Sequence, residues 1–205
     1  MDFLQRLQRW YTINCNGDWE HSYGVSITNI DNPGWVVKID LSDTCVRKVS
    51  FDYPIVERTV TNWVSYSVKE DVFEGSGGPE NLTEILSYFL DTFLPAHLDP
   101  NCTLEVHLPV AGYENRLWLK AQARMLSESS VEICAVADPT MPHCYEWGTE
   151  ADLDLFAELG HLLSGIDTGY SIGDQAEPTV YQAEDNMLRT FLVVPVKRQP
   201  EVLRQ

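Results

Sequence analysis

The sequence predicts an α+β protein, an antiparallel sheet packed against helices, arranged as two similar α+β units. Three observations predict this class. The hydrophobic period changes from helical to two-residue within the first thirty residues. The turn-forming stretch "NIDNPGW" joins two alternating segments, which is the pattern of a hairpin. A strand, a loop rich in turn residues and an acidic-started apolar helix then occur in each half, while no Gly-rich phosphate loop supports a doubly wound parallel sheet.

The elements follow in order. In "DFLQRLQRWY" the apolar residues Phe3, Leu4, Leu7, Trp10 and Tyr11 mark one helix face, and Asp2 is placed to cap it. From Trp19 the period becomes two, with Trp19, His21, Tyr23, Val25 and Ile27 on one face and Glu20, Ser22, Ser26 and Thr28 on the other. This predicts a strand, paired across the turn with a second running from Trp35 to Leu41. Residues 56–68 predict a further strand, and "EGSGGPEN" a loop that delivers Pro79 and Glu80 to the first turn of a helix. That helix, "ENLTEILSYFLDTFL", gathers Leu82, Ile85, Leu86, Phe89, Leu90 and Phe93 on one side and is expected to end before Pro95.

Pro95 and Pro100 in "PAHLDPNC" predict a boundary, giving a domain of residues 1–99 and a second of 100–205, an additional domain or a diverged repeat. The second half offers the strands "TLEVHLPV" and "VEICAVA", a helix "TEADLDLFAELGHLL" that starts with Thr149 and Asp152 in a capping-box arrangement, and a late strand near "LRTFLVVPV".

Composition excludes several functions. At 205 residues, with 31 acidic against 14 basic side chains and a net charge of −17, the surface field repels phosphate backbones, so direct nucleic-acid binding is not expected. The amino-terminal order of charged and apolar residues does not suit a secretory signal, and no apolar run has the length of a membrane span. A cytoplasmic protein is expected. Five cysteines, at 15, 45, 102, 134 and 144, form no C-x-x-C pair. They predict reduced thiols rather than a disulfide framework or a structural zinc site, with Cys134 a small core residue.

The segment "CNGDWEHSYG" concentrates the polar chemistry. On a strand, Glu20 and His21 point to opposite faces, His21 joins the apolar face as a hydrogen-bonded buried imidazole, and Asp18 and Glu20 share the other face. Two carboxylates one pleat apart suit acid–base chemistry, a cation, or an Arg or Lys of a partner, and spacing does not choose. His97, His107, His143 and His161 are scattered, His143 and Cys144 are adjacent residues of a loop, and no H-E-x-x-H, G-x-S-x-G or kinase signature occurs. No catalytic residue, metal ligand or cofactor site is therefore assigned.

Two quoted runs carry a family resemblance: "WYTINCNGDWEHSYGVSITNIDNPGWVVKIDL", Trp10 to Leu41, and "NWVSYSVKEDVFEGSGGPENLTEIL". At W-Y, C-N-G-D-W-E-H-x-x-G and D-N-P-G-W the chain resembles the immunity protein 53 family of bacterial toxin–immunity systems, over about the first 95 residues. The resemblance implies a protein that binds and neutralises a co-encoded toxin in the bacterial cytoplasm. An acidic surface suits a basic toxin such as a nuclease. Asp18, Trp19, Glu20, His21, Asp31, Asn32 and Trp35, at the hairpin's start and turn, are the candidate partner-binding residues. Trp19 and Trp35 also read as paired core aromatics on the inner face of that hairpin, which would leave Asp18, Glu20, Asp31 and Asn32 outside. The alternatives are a small hydrolase or metal-dependent enzyme using Asp18, Glu20 and His21, and a peptide-binding adaptor module.

Overall fold

Asp2 caps the first helix, α1 (Phe3–Asn14): its carboxylate accepts the Gln5 N–H at 2.8 Å, and the Gln5 side chain accepts the Asp2 N–H at 3.2 Å. This reciprocal pair satisfies two of the donors that a helix start leaves open. The computed structural model describes residues 2–16, 18–109, 117–136, 143–146, 149–150, 169–182 and 188–192. The chain divides into two compact units, one of Met1–Asn14 with Asp18–Asp99 and one of Cys15–Gly17 with Pro100–Gln205. Among the described residues, helices and antiparallel strands together give the α+β class.

In the first unit α1 is followed by a one-turn helix, α2 (Trp19–Ser22), and six strands: β1 (Val25–Ile30), β2 (Gly34–Asp40), β3 (Phe51–Asp52), β4 (Val56–Thr59), β5 (Asn62–Lys69) and β6 (Val72–Gly77). They form one sheet in the order β1-β2-β6-β5-β3, with β4 also on β5. The expected hairpin is present, and β1 pairs antiparallel with β2 from Val25 opposite Ile39 to Ile30 opposite Gly34. The row Val37, Gly75 and Tyr66 and the row Ile39, Phe73 and Val68 run across β2, β6 and β5. These residues face the helices and are buried, whereas Lys38, Glu74 and Ser67 alternate onto the opposite face.

The helical layer is α1 and a long helix built of α3 (Leu82–Ser87), a π-helical segment (Tyr88–Phe93) and α4 (Leu94–His97). Its buried side chains are Ile85, Leu86, Phe89, Leu90, Phe93 and Leu94. They recur strictly every four residues. An α-helix drifts about 40° per four residues, so such a stripe would wind around it; the wider π turns rotate it back and keep it on the sheet. Contrary to the expected stop, the helix runs past Pro95, whose missing N–H falls just after the π segment, where the hydrogen-bond ladder changes phase. Phe73 lies at the centre of the contact, 5.1 Å from Phe89 and 5.2 Å from Phe93, and Trp10 meets Phe89 edge-on at 5.5 Å. Tyr66 stacks on Tyr88 at 3.8 Å, and burial pushes its phenol up to about 12.

Glycine sets the distance between helix and sheet. A Cβ on Gly75 would lie 2.4 Å from the Ile85 Cγ2 atom, and one on Gly77 3.2 Å from its Cδ1 and 2.9 Å from the Asn81 Cβ. "EGSG" is therefore the end of β6 rather than the loop expected from its composition, because its glycines floor a groove for Ile85. Three further expectations are corrected. Trp19 to Ser22 form α2 instead of starting the strand. Residues 56–68 are two strands, β4 and β5, joined by a turn at Val60 and Thr61. Leu4 and Tyr11 are exposed, and the buried face of α1 is Leu7, Trp10 and Ile13.

Among the described residues the second unit contains an eight-stranded sheet of β7 (Leu104–Pro109), β8 (Leu117–Ser127), β9 (Ser130–Val136), β10 (His143–Glu146), β11 (Thr149–Glu150), β12 (Gln175–Ala176), β13 (Pro178–Gln182) and β14 (Leu188–Leu192). Its pairings are antiparallel except for β14 on β7. Val106, Leu108, Leu119, Ala123, Met125, Val131 and Ile133 are buried. Cys134 alternates outward from Val131 and Ile133 and is exposed, not a core residue. Thr149 and Glu150 belong to β11, so the expected helix does not begin there; its remainder lies outside the described residues. Cys45 is disulfide-bonded, as is Cys102, which corrects the expectation of reduced thiols throughout.

Two predictions follow from this geometry. Gly75→Ala is expected to lower stability in urea unfolding by about 1–3 kcal/mol. Combining it with Ile85→Ala should cost less than the sum of the two single substitutions, by about 0.5–3 kcal/mol; strict additivity would dismiss the groove as the constraint. The two-residue turn joining β5 to β6 places both Glu70 (φ 52°) and Asp71 (φ 57°) in the left-handed region. Replacing them by Asn and Gly, the residues that type I′ turns favour, is expected to stabilise by about 1–2 kcal/mol, and an unchanged thermal midpoint would show that the turn is unstrained.

Candidate functional site

The seven candidate residues fall into two groups. Asp18, Trp19, Glu20 and His21 are at α2, beside the open end of the β1–β2 hairpin, where the Gly24 N–H donates to the Asp40 carboxylate at 2.9 Å. Asp31, Asn32 and Trp35 are at its turn. β1 separates the groups by its six residues, about 20 Å.

The first group is not the strand arrangement expected. On a helical turn, residues two apart do not share a face, so Asp18 and Glu20 are not a carboxylate pair across one pleat. His21 is exposed rather than buried, and its N–H donates to the Asp18 carbonyl at 3.2 Å. Trp19 is buried, with its indole N–H donating to the Ser42 carbonyl at 2.9 Å and its ring 5.8 Å from Tyr11. It is a core residue, although not paired with Trp35, which stands opposite Asn29.

The second group lies at one end of the sheet, and the strand register places other residues beside it. Trp35, Gly77 and Val64 form one row across β2, β6 and β5, and Val64 continues to Val56 of β4. The turns at 31–33, 60–61 and 78–80 therefore share this end. The half-buried Trp35 donates its indole N–H to the Pro79 carbonyl at 2.9 Å, tying the first turn to the third. The Gly78 N–H donates to the Trp63 carbonyl at 3.0 Å, and a Cβ on Gly78 would lie 2.1 Å from the Thr61 carbonyl oxygen, so only glycine lets the third turn lie against the second.

A polar clamp holds the β4–β5 hairpin to the start of α3. Arg58 grips Glu84 through both guanidinium arms, at 2.6 and 2.8 Å, and also donates to the Asn62 side-chain oxygen at 2.9 Å. Buried Asn81 donates from its amide to the same Asn62 oxygen at 3.0 Å and to Glu84 at 2.7 Å. The Arg58 hydrogen bond holds the Glu84 carboxyl below its ordinary range, with a further contribution from Asn81. Such two-armed pairs fix geometry more than they add stability at an exposed site. Sequence reasoning missed Arg58, Asn62, Asn81 and Glu84, although Asn81 followed three residues later by Glu84 is a legible helix-start pattern.

Beyond the clamp the hairpin is apolar and exposed. Every residue from Asp52 to Thr61 is exposed, including Tyr53, Ile55 (61%), Val56 (52%) and Val60 (88%). Around it stand the exposed carboxylates of Asp31, Glu57 and Glu80, which have no ion-pair partner among the described residues. Exposed apolar side chains beside carboxylates can bind a protein surface. Among the described residues no group of His, Cys, Asp and Glu could hold a metal ion, and no helix is long and apolar enough to cross a membrane.

No curated protein and no solved structure matches the chain. The family model of immunity protein 53 does match, over residues 4–93, which span α1, the whole first sheet and the helix to Phe93, the segment whose motifs carried the resemblance.

Proposed function

We propose that the chain binds and neutralises a cognate bacterial toxin in the cytoplasm of the cell that makes it, acting by binding and not by catalysis. The family match over residues 4–93 carries this reading. The charge supports it: a protein of net charge −17 attracts a basic partner such as a nuclease and disfavours direct contact with nucleic acid. In a reducing cytoplasm Cys45 and Cys102 would be thiols, and the reading does not depend on their oxidised state. Of the residues singled out in the sequence, Asp31, Asn32 and Trp35, at the turn end of the sheet, are assigned to the partner contact, and Asp18, Glu20 and His21, at the other end of β1, are left outside that contact.

The test is expression of the chain beside the toxin encoded next to its gene, together with stopped-flow association of the purified pair. Cells should survive the toxin only when the chain is present. The association rate should fall at least about tenfold between about 10 and 150 mM salt, as the screening length shortens from roughly 30 to 8 Å, with a smaller change in dissociation. Survival without the chain, or no binding, would sink the reading; binding with a salt-independent rate would remove electrostatic steering from it.

We further propose that residues 1–99 form the toxin-binding domain and that residues 100–205 adjust affinity or stability. The first sheet and its helices supply a buried core without the second unit's strands. A fragment of residues 1–99 should give a dispersed amide NMR spectrum and retain toxin affinity. A collapsed spectrum would show that the two parts fold only together.

A further inference from the structure

We infer that the corner of the first sheet formed by residues 53–61, with Asp31, Pro79 and Glu80 beside it, is the surface that takes the toxin, and that the face it meets is basic around an apolar centre. This inference rests on the proposed immunity function and adds where, and by what chemistry, the partner is held.

Four observations converge on this corner. Exposed large apolar side chains are concentrated there, with Tyr53, Ile55, Val56 and Val60 within eight residues of sequence and Val60 88% exposed. Isolated exposed apolar residues are ordinary, whereas several gathered in one short hairpin beside exposed carboxylates are a mark of a docking surface. The hairpin is also held in place. The Arg58 grip on Glu84, the Gly78 N–H on Trp63 and the indole of Trp35 on Pro79 fix the three turns to one another, which lowers the ordering cost that binding would otherwise carry.

The third observation is charge. The two cations of the hairpin region are occupied within the chain, Arg58 by Glu84 and Lys69 by Asp52 at 2.5 Å. The carboxylates of Asp31, Glu57 and Glu80 are exposed without an ion-pair partner among the described residues. What faces outward is therefore apolar at the centre and negative at the rim, complementary to a partner with Lys or Arg around an apolar patch. The last is position, since the corner lies wholly inside the family-matched segment 4–93.

The experiment uses the full chain and, as probe, the purified C-terminal domain of the toxin encoded beside its gene. Ile55→Ser with Val60→Ser is expected to weaken binding at least tenfold, mainly through faster dissociation. Glu57→Lys with Glu80→Lys should slow association and flatten its salt dependence. All four side chains are exposed, so the melting temperatures should stay within about 2 °C of the parent, which separates lost contact from lost fold. As a control for place, Asp18→Ala with Glu20→Ala and His21→Ala at α2 should leave affinity within threefold.

Parental affinity in both corner variants would overturn the inference while leaving the immunity reading intact. So would loss of affinity in the α2 control alone. If the parent is dimeric by light scattering and the Ser variant is monomeric with unchanged toxin affinity, the corner joins two copies of this chain and the inference is wrong. If the parent itself neither binds the toxin domain nor protects cells, the immunity reading fails and the inference falls with it.

Discussion

One side chain fixes how the first unit is assembled. The Ile85 methyls rest on Gly75 and Gly77 of β6, closer to Gly75 than a Cβ there would allow and in tight contact with the place of one on Gly77. That approach lowers the helix onto the sheet until Phe89 and Phe93 reach Phe73, and it brings the start of α3 close enough for Glu84 to meet Arg58. The closed core and the clamp of the β4–β5 hairpin both depend on it. A larger residue in the groove would therefore disturb the corner even though nothing there had been replaced.

What could be read from the sequence followed from side-chain periodicity. The first hairpin, β5, β7, β9 and the apolar face of the long helix repeat with periods that directly report burial. The errors arose where another constraint dominates. "DWEH" alternates like a strand, yet Trp19 buries from a single helical turn whose backbone bond runs from the Tyr23 N–H to the Trp19 carbonyl. "EGSG" has turn composition, but its glycines are there for Ile85, a partner far along the chain. Proline usually ends a helix, and the four-residue repeat from Ile85 to Leu94 was the overlooked sign of a wider turn able to run past it. Of the candidate site, the turn residues Asp31, Asn32 and Trp35 were visible from residue type. Tyr53, Ile55, Val56 and Val60 were not, because aromatic and β-branched residues within a stretch that predicts a strand resemble those of an ordinary buried strand.

Electrostatics divides the first unit into two kinds of charge. Arg6, Lys38, Lys48, Arg58 and Lys69 each face a carboxylate: Asp91, Glu74, Asp71, Glu84 and Asp52. These pairs are at or near the surface and contribute little to stability individually. Their collective effect is on the field. With those cations matched locally, the excess carboxylates set the sign of the potential that an approaching molecule meets.

The four-residue repeat of the long helix bears on how this protein can change over evolutionary time. Adding or deleting one residue between Tyr88 and Phe93 would rotate all that follows by roughly a quarter of a turn, moving Phe93 and Leu94 off the sheet, so this stretch tolerates changes of length poorly. The exposed hairpin from Tyr53 to Thr61 packs few of its side chains and is open to changes of sequence. A lineage could therefore rewrite the surface that this hairpin presents while keeping the interior that folds it untouched.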